Sequence, residues 1–134
     1  MVKKLINKIK NHPYLDLKLF WLDGISDEYL DKLYNKSTCL LASSEGEGFG
    51  LPLIEAAQYK KPIIARDILV FKEVASTFAY YFKDDNNPEI IAKTINEWLE
   101  LYEKDNHPKS DDMNWLSWKE STKELQNLII GKNR

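Results

Sequence analysis

Several features that each mark a particular class of protein are scarce in this sequence. Among its 134 residues there is one cysteine, Cys39, so no disulfide framework can form within the chain, as is typical of a reducing compartment. The only arginines are Arg66 and Arg134, which supply few of the forked donors that bind phosphate bidentately. The formal net charge of -2 gives no electrostatic footprint for nucleic acid, which we therefore do not expect as a partner.

Long apolar runs and metal-ligand clusters are also missing. No stretch approaches the roughly 20 apolar residues that span a bilayer, and the opening MVKKLINKIK has no uninterrupted signal-peptide core. His12 and His107 lie in separate polar turns without ligand spacing, so we expect no metal. The expectation is a soluble, cytoplasmic protein whose residues 1–134 form a single domain.

Apolar segments of strand length alternate with helical patterns along the chain. The predicted strands are Lys18–Leu22, Thr38–Ala42, Pro62–Ala65 and Phe78–Phe82. Helices are predicted to begin near Val2, Ser26, Pro52, Val70, Pro88 and Ser117. In the last helix, Leu125, Leu128 and Ile129 are expected to face the core together with Trp118. This alternation predicts an α/β fold with a parallel sheet, which binds ligands at the carboxyl ends of its strands.

A glycine-rich loop follows one of these predicted strands. It belongs to the segment SSEGEGFGLPLIEAA, Ser43 to Ala57, which runs into a helical pattern. The backbone N–H groups of Gly48 to Leu51 could face a phosphate at the helix start. The loop lacks the lysine and hydroxyl residue of a Walker A sequence, and two glycines one residue apart are weak evidence for a dinucleotide site. From the pattern alone, a phosphate site and a purely structural turn are equally good interpretations.

Two carboxylates flank this loop. Glu47 precedes the last glycines and Glu55 follows about one turn into the helix, so both can border one crevice. An ionised carboxylate can accept two hydroxyl hydrogens, which suits the vicinal diols of a ribose or a hexose. A phosphate flanked by two such groups describes a nucleotide sugar. The alternatives are a helix-dipole acid for Glu55 and a solvated charge for Glu47, and the residues alone slightly favour these alternatives.

The same segment resembles a known family signature. The motif E-x7-E, present as EGFGLPLIE with SS before it and KKPIIARD after it, resembles that of glycosyltransferase family 4, the group 1 retaining enzymes of GT-B architecture. The resemblance continues through LFWLDGISDEYLDKLYNKSTCLLASS, VFKEVA and WLSWKEST, and so covers Leu15 to Leu128. It implies a Rossmann-like parallel sheet, namely the C-terminal, donor-binding domain lacking its first strands. The implied reaction transfers a hexose from a nucleotide diphosphate sugar to a glycan or surface-polysaccharide acceptor.

The resemblance also implies roles for individual residues. Glu47 would be the catalytic carboxylate that holds the donor-sugar hydroxyls, and Glu55 would bind the ribose. The residues implied to donate N–H groups to the sugar and diphosphate are Gly48, Phe49, Gly50 and Leu51. The family places the base near the loop Asp23, Gly24 and Ile25, although a tight connection is an equally good interpretation of that loop. No metal cofactor is implied. Arg66 and Asp67 also lie at the carboxyl end of a predicted strand, and their role stays open.

Finally, the resemblance implies that segments of the full enzyme are missing here. The acceptor, a glycan or a lipid-linked molecule, would bind through an absent N-terminal domain, and the full enzyme could associate with a membrane surface. The isolated chain would then be inactive in transfer, and the alternative is an inactive nucleotide-binding or oligomerising fragment. In the family's strand order 3-2-1-4-5-6, the four strands predicted here would be the third to the sixth. The missing first and second strands would then lie between Lys18–Leu22 and Thr38–Ala42, so that these two would not be neighbours. Because unpaired strand edges are costly, we expect these two strands to pair directly or to be covered in a homodimer.

Overall fold

The structure is a computed structural model that describes residues 2–115 and 117–131. Its elements are α1 Val2–Lys10, α2 Asp27–Lys36, β1 Leu40–Ala42, α3 Leu51–Gln58, β2 Ile63–Arg66, α4 Leu69–Ala75, β3 Tyr80–Phe82, α5 Pro88–Glu103 and α6 Trp118–Gly131. The chain divides into two compact units, Met1–Leu33 and Tyr34–Arg134. The expectation of a single domain stays a prediction. Across the described residues, no helix has the length and apolar character that crossing a membrane requires.

The second unit is built on a parallel sheet. Its strands lie in the order β1-β2-β3, with Leu41 opposite Ile64 and Ile64 opposite Tyr80. All residues of the central strand β2 are buried, because helices cover both of its faces. The α/β fold class with a parallel sheet is confirmed. The three strands neighbour one another in chain order.

Alternate residues of β2 enter two apolar clusters. Ile63 and Ala65 pack in a cluster that includes Leu53 of α3 and Phe71 of α4. Ile64 packs in a second cluster, with Phe82 of β3 and Trp98 of α5. Since successive side chains of a strand point to opposite faces, α3 and α4 cover one face of the sheet and α5 covers the other.

The predicted strand Lys18–Leu22 is wrong. Turns replace its first part, in which the amides of Leu17, Lys18 and Leu19 donate to the carbonyl of Tyr14 at 3.1, 2.9 and 2.9 Å, and residues 20–22 have no regular secondary structure. The only pairing in this segment is an isolated bridge between Leu15 and Leu19. The amides of Lys18 and Leu19 are satisfied locally and are not available for a ladder. Among the described residues the sheet contains β1, β2 and β3, so the alternative of direct pairing with the segment Thr38–Ala42 is wrong. Covering of the β1 edge by a second copy stays a prediction.

The last helix begins as expected but packs differently. Ser117 and Glu120 form the predicted capping box: the Ser117 amide donates to Glu120 Oε2 at 2.7 Å, and the Glu120 amide donates to Ser117 Oγ at 3.2 Å. The prediction that Leu125, Leu128 and Ile129 face the core is wrong, since they are 58%, 64% and 56% exposed. The side chain of Trp118, predicted to point inward, lies outside the described residues, as does Leu116.

Candidate functional site

The candidate site is the loop Ser43–Gly50, which connects the carboxyl end of β1 to the amino end of α3. Gly50 is the N-cap of α3 and has left-handed backbone angles, φ 64° and ψ 30°, with no side chain capping the helix. A Cβ atom at Gly50 would lie 3.1 Å from Val74 Cγ2 of α4. Both the backbone conformation and the close approach of α4 therefore require glycine at this position.

Consecutive amide groups at the end of this loop are left open. Within residues 2–115 and 117–131, no hydrogen bond of the chain uses the amides of Gly48, Phe49, Gly50 or Leu51. Pro52 has no N–H group, and the Leu53 amide donates to the Gly50 carbonyl at 3.0 Å. Open amides at a helix start favour an anion, because their dipoles point towards it. The loop thus has the donors that the predicted phosphate site needs, although binding itself stays a prediction.

The first of the flanking carboxylates lies inside the loop. Glu47 is half-buried, whereas the neighbouring acid Glu45 is exposed, as expected of a solvated charge. Among the described groups, the Glu47 carboxylate has no hydrogen bond and no ion pair. It therefore keeps its full capacity to accept hydroxyl hydrogens from a ligand.

The second carboxylate is oriented by a tyrosine that no motif or spacing in the sequence indicates. The hydroxyl of Tyr34, near the end of α2, donates to Glu55 Oε2 at 3.0 Å. The Tyr34 ring is stacked on Tyr59, with 4.9 Å between centroids and 4° between planes. Burial, followed by the hydrogen bond to Glu55, raises the pKa of Tyr34 to about 12, so the hydroxyl keeps its proton and donates at neutral pH. One Glu55 oxygen is held in place, and the remaining lone pairs can accept ligand hydroxyls.

The predicted site residues fall into two groups. Glu47, Gly48 to Leu51 and Glu55 are brought together at the start of α3. Asp23, Gly24 and Ile25 belong to the first unit, where they form an exposed connection in which Gly24 has φ +62°. Ser26 then caps α2, since its Oγ accepts from the Tyr29 amide at 3.2 Å. The base-binding role of this connection stays a prediction.

Replacing Gly50 with alanine is expected to lower the free energy of unfolding by about 1 to 2 kcal/mol, the cost of the left-handed conformation for a residue with a Cβ atom. Gly48→Ala is the matched control, because its Cβ atom would meet nothing within 4 Å and its φ is not in the left-handed region. Urea denaturation followed by circular dichroism measures both. Equal losses in the two variants would contradict the special requirement at Gly50.

The family model and the relatives that match this chain are all described as glycosyltransferases or mannosyltransferases. The family model described as glycosyl transferases group 1 matches residues 1–114. The chain is 55% identical over 130 residues to the serotype-specific mannosyltransferase WbdA of Escherichia coli, covering 96% of this chain and 16% of that protein. It is 34% identical over 113 residues to the O-antigen chain mannosyltransferase RfbU of Salmonella typhimurium, covering 75% of this chain and 31% of that protein. The chain thus spans less than a third of either relative, and no solved structure matches it significantly.

Proposed function

The chain belongs to the group 1 glycosyltransferases, and we propose that it forms the nucleotide-sugar-binding part of a retaining glycosyltransferase. The observation that carries this proposal is the run of open amides from Gly48 to Leu51, placed between Glu47 and Glu55. Amides at a helix start suit the diphosphate of a donor, and carboxylates suit the hydroxyls of its sugar and ribose. This arrangement suits the sugar, the diphosphate and the ribose of a nucleotide diphosphate sugar.

The donor sugar that we propose is mannose, a hexose. Two relatives that match most of this chain, in two bacterial species, are both named mannosyltransferases. One is 55% identical to this chain over 130 residues, which is 96% of this chain. We propose that the acceptor is a growing glycan or surface polysaccharide, since one relative is named for the O-antigen chain.

In this proposal different groups of the chain bind different parts of the donor. The loop amides bind the diphosphate and stabilise the negative charge that develops on it as the sugar departs. Glu55, held by Tyr34, binds the ribose diol, and Glu47 orients the sugar through its hydroxyls. We propose no metal for this step, because the residues implied for the donor are hydrogen-bond donors and hydroxyl acceptors. In residues 2–115 and 117–131, no group of three or more acids, histidines or cysteines has the arrangement of a metal site.

Calorimetric titration with GDP, UDP and ADP, and with their mannose and glucose derivatives, tests this function. We expect one nucleotide to bind and its mannose derivative to bind more tightly. Glu47→Gln should weaken binding of the nucleotide sugar about tenfold, the loss of one hydrogen bond to a charged group, while leaving the nucleotide alone unaffected. The sugar is the part of the ligand that contacts Glu47 in this proposal.

Glu45→Gln is the control, because it removes the same charge from an exposed position of the same loop. It should bind both ligands as the unchanged protein does. Titrations in EDTA and in magnesium should agree, since no metal is proposed. A chain that binds none of the nucleotides would favour the alternative of an inactive or oligomerising fragment, and binding that requires magnesium would contradict the metal-free proposal.

A further inference from the structure

A buried cation lies next to the candidate site and has no role in the function proposed above. Arg66 ends the central strand β2, and only 4% of its surface is exposed. A charge taken out of water is costly unless its hydrogen bonds are satisfied by the protein. The partners of the guanidinium therefore indicate what this residue does in the fold.

The Arg66 guanidinium joins the loops that follow the two outer strands. Its Nε donates to the Ser43 carbonyl at 3.1 Å, at the first residue after β1. Its Nη1 donates to Asp84 Oδ1 at 3.1 Å and to the Asp85 carbonyl at 3.0 Å, both in the loop after β3. The guanidinium carbon also lies 5.2 Å from the centroid of the Phe82 ring. One rigid group thus connects three parallel strands at the edge where their carboxyl ends meet.

The shape of the arginine side chain is essential to these contacts. The guanidinium is a planar fork whose donors have fixed directions, so Nε and Nη1 reach different loops at the same time. A lysine would keep the charge, but its single ammonium group lies on a flexible stem and has no equivalent of the fork. The connection between Ser43 and the loop after β3 therefore depends on arginine and not only on a positive charge.

We propose that Arg66 is a positioning residue that sets the orientation of the glycine loop from its first residue. Ser43 begins the loop that ends at Gly50, where the left-handed backbone and the contact with Val74 fix the other end. Holding both ends orients the amides between them, so the ordering entropy of the loop is not lost when a ligand binds. The consequence for binding rests on the proposed donor site, but the orientation of the loop does not.

Two substitutions test this role separately from ligand binding. Arg66→Lys removes the fork, and Asp84→Asn removes the charge that anchors it from the other loop. Asp67→Asn is the matched control, because Asp67 is also a half-exposed acid in an ion pair, with Lys72 at 2.8 Å, and does not contact Arg66 through its side chain. Backbone order parameters from 15N relaxation are measured for residues 43–50 without ligand. We expect the order parameters of this loop to fall from about 0.85 to below about 0.6 in Arg66→Lys. They should fall less in Asp84→Asn and should not change in Asp67→Asn.

Titration with the nucleotide that binds the unchanged protein gives the second readout. The affinity for this nucleotide should fall about two- to thirtyfold in Arg66→Lys, the range of couplings carried through an intermediate residue.

Unchanged order parameters in both variants would overturn the proposal even if the protein binds the donor. A looser loop with unchanged affinity would reduce Arg66 to a purely structural role. If no nucleotide binds the unchanged protein, the proposed function fails while the order parameters still decide the orientation. If Arg66→Lys does not fold, Asp84→Asn decides alone.

Discussion

Replacing Phe71 with alanine is expected to lower the free energy of unfolding by about 3 to 5 kcal/mol, the cost of a cavity left by a buried phenyl ring. Phe71 is 1% exposed and packs from α4 into the cluster that contains Leu53 and Ala75. Its Cδ1 atom lies 3.7 Å from the place where a Cβ atom of Gly50 would stand, so the ring also supports the end of the glycine loop. A loss of this size is a large part of the total stability of an ordinary domain.

Urea denaturation followed by circular dichroism measures this loss. Leu69→Ala is the matched control, because Leu69 is an apolar residue of the same helix that is 76% exposed. Its effect should stay within about 0.5 kcal/mol, as for other surface substitutions. A loss below about 1 kcal/mol in Phe71→Ala would show that α4 does not pack on α3 as described.

Glu55→Gln is expected to weaken nucleotide binding by about 1.5 to 3 kcal/mol, or roughly one to two decades in Kd. The proposed ligand of Glu55 is the ribose diol, and a neutral amide accepts hydroxyl hydrogens less strongly than a carboxylate and at only one of its two terminal atoms. The same substitution replaces an acceptor of the Tyr34 hydroxyl, which donates to Glu55 Oε2 at 3.0 Å. Calorimetry with the nucleotide that binds best measures the change.

Two further variants separate the carboxylate from its surroundings. Tyr34→Phe keeps the carboxylate and the ring that stacks on Tyr59 but removes the hydroxyl that orients Glu55, so its effect on Kd should be smaller than that of Glu55→Gln. Glu73→Gln removes an exposed acid of α4 and should leave Kd unchanged, which controls for net charge. Unchanged affinity in Glu55→Gln would return Glu55 to the role of an acid that only complements the helix dipole.

Local signals in the sequence were enough to predict most of the secondary structure. Pro52 marks the first turn of α3, and the Ser117–Glu120 capping box marks the start of α6. These signals work because the groups that stabilise a helix start lie within a few residues of one another. The strand Lys18–Leu22 failed as a prediction for the opposite reason, since a strand needs a distant partner, whereas the amides of Lys18 and Leu19 donate to the nearby Tyr14 carbonyl.

The main part of the candidate site could also be predicted from the sequence, because Glu47, the glycine loop and Glu55 lie in one connection and the helix that follows it. The sequence alone therefore determined the fold class, the family and the chemistry expected at the start of α3. Only the tertiary structure decided which side chains support that chemistry. Tyr34 meets Glu55 across 21 positions, and Arg66 reaches Ser43 across 23 and Asp84 across 18. The packing of parallel strands and their helices brings these groups together, and no spacing along the chain encodes such contacts.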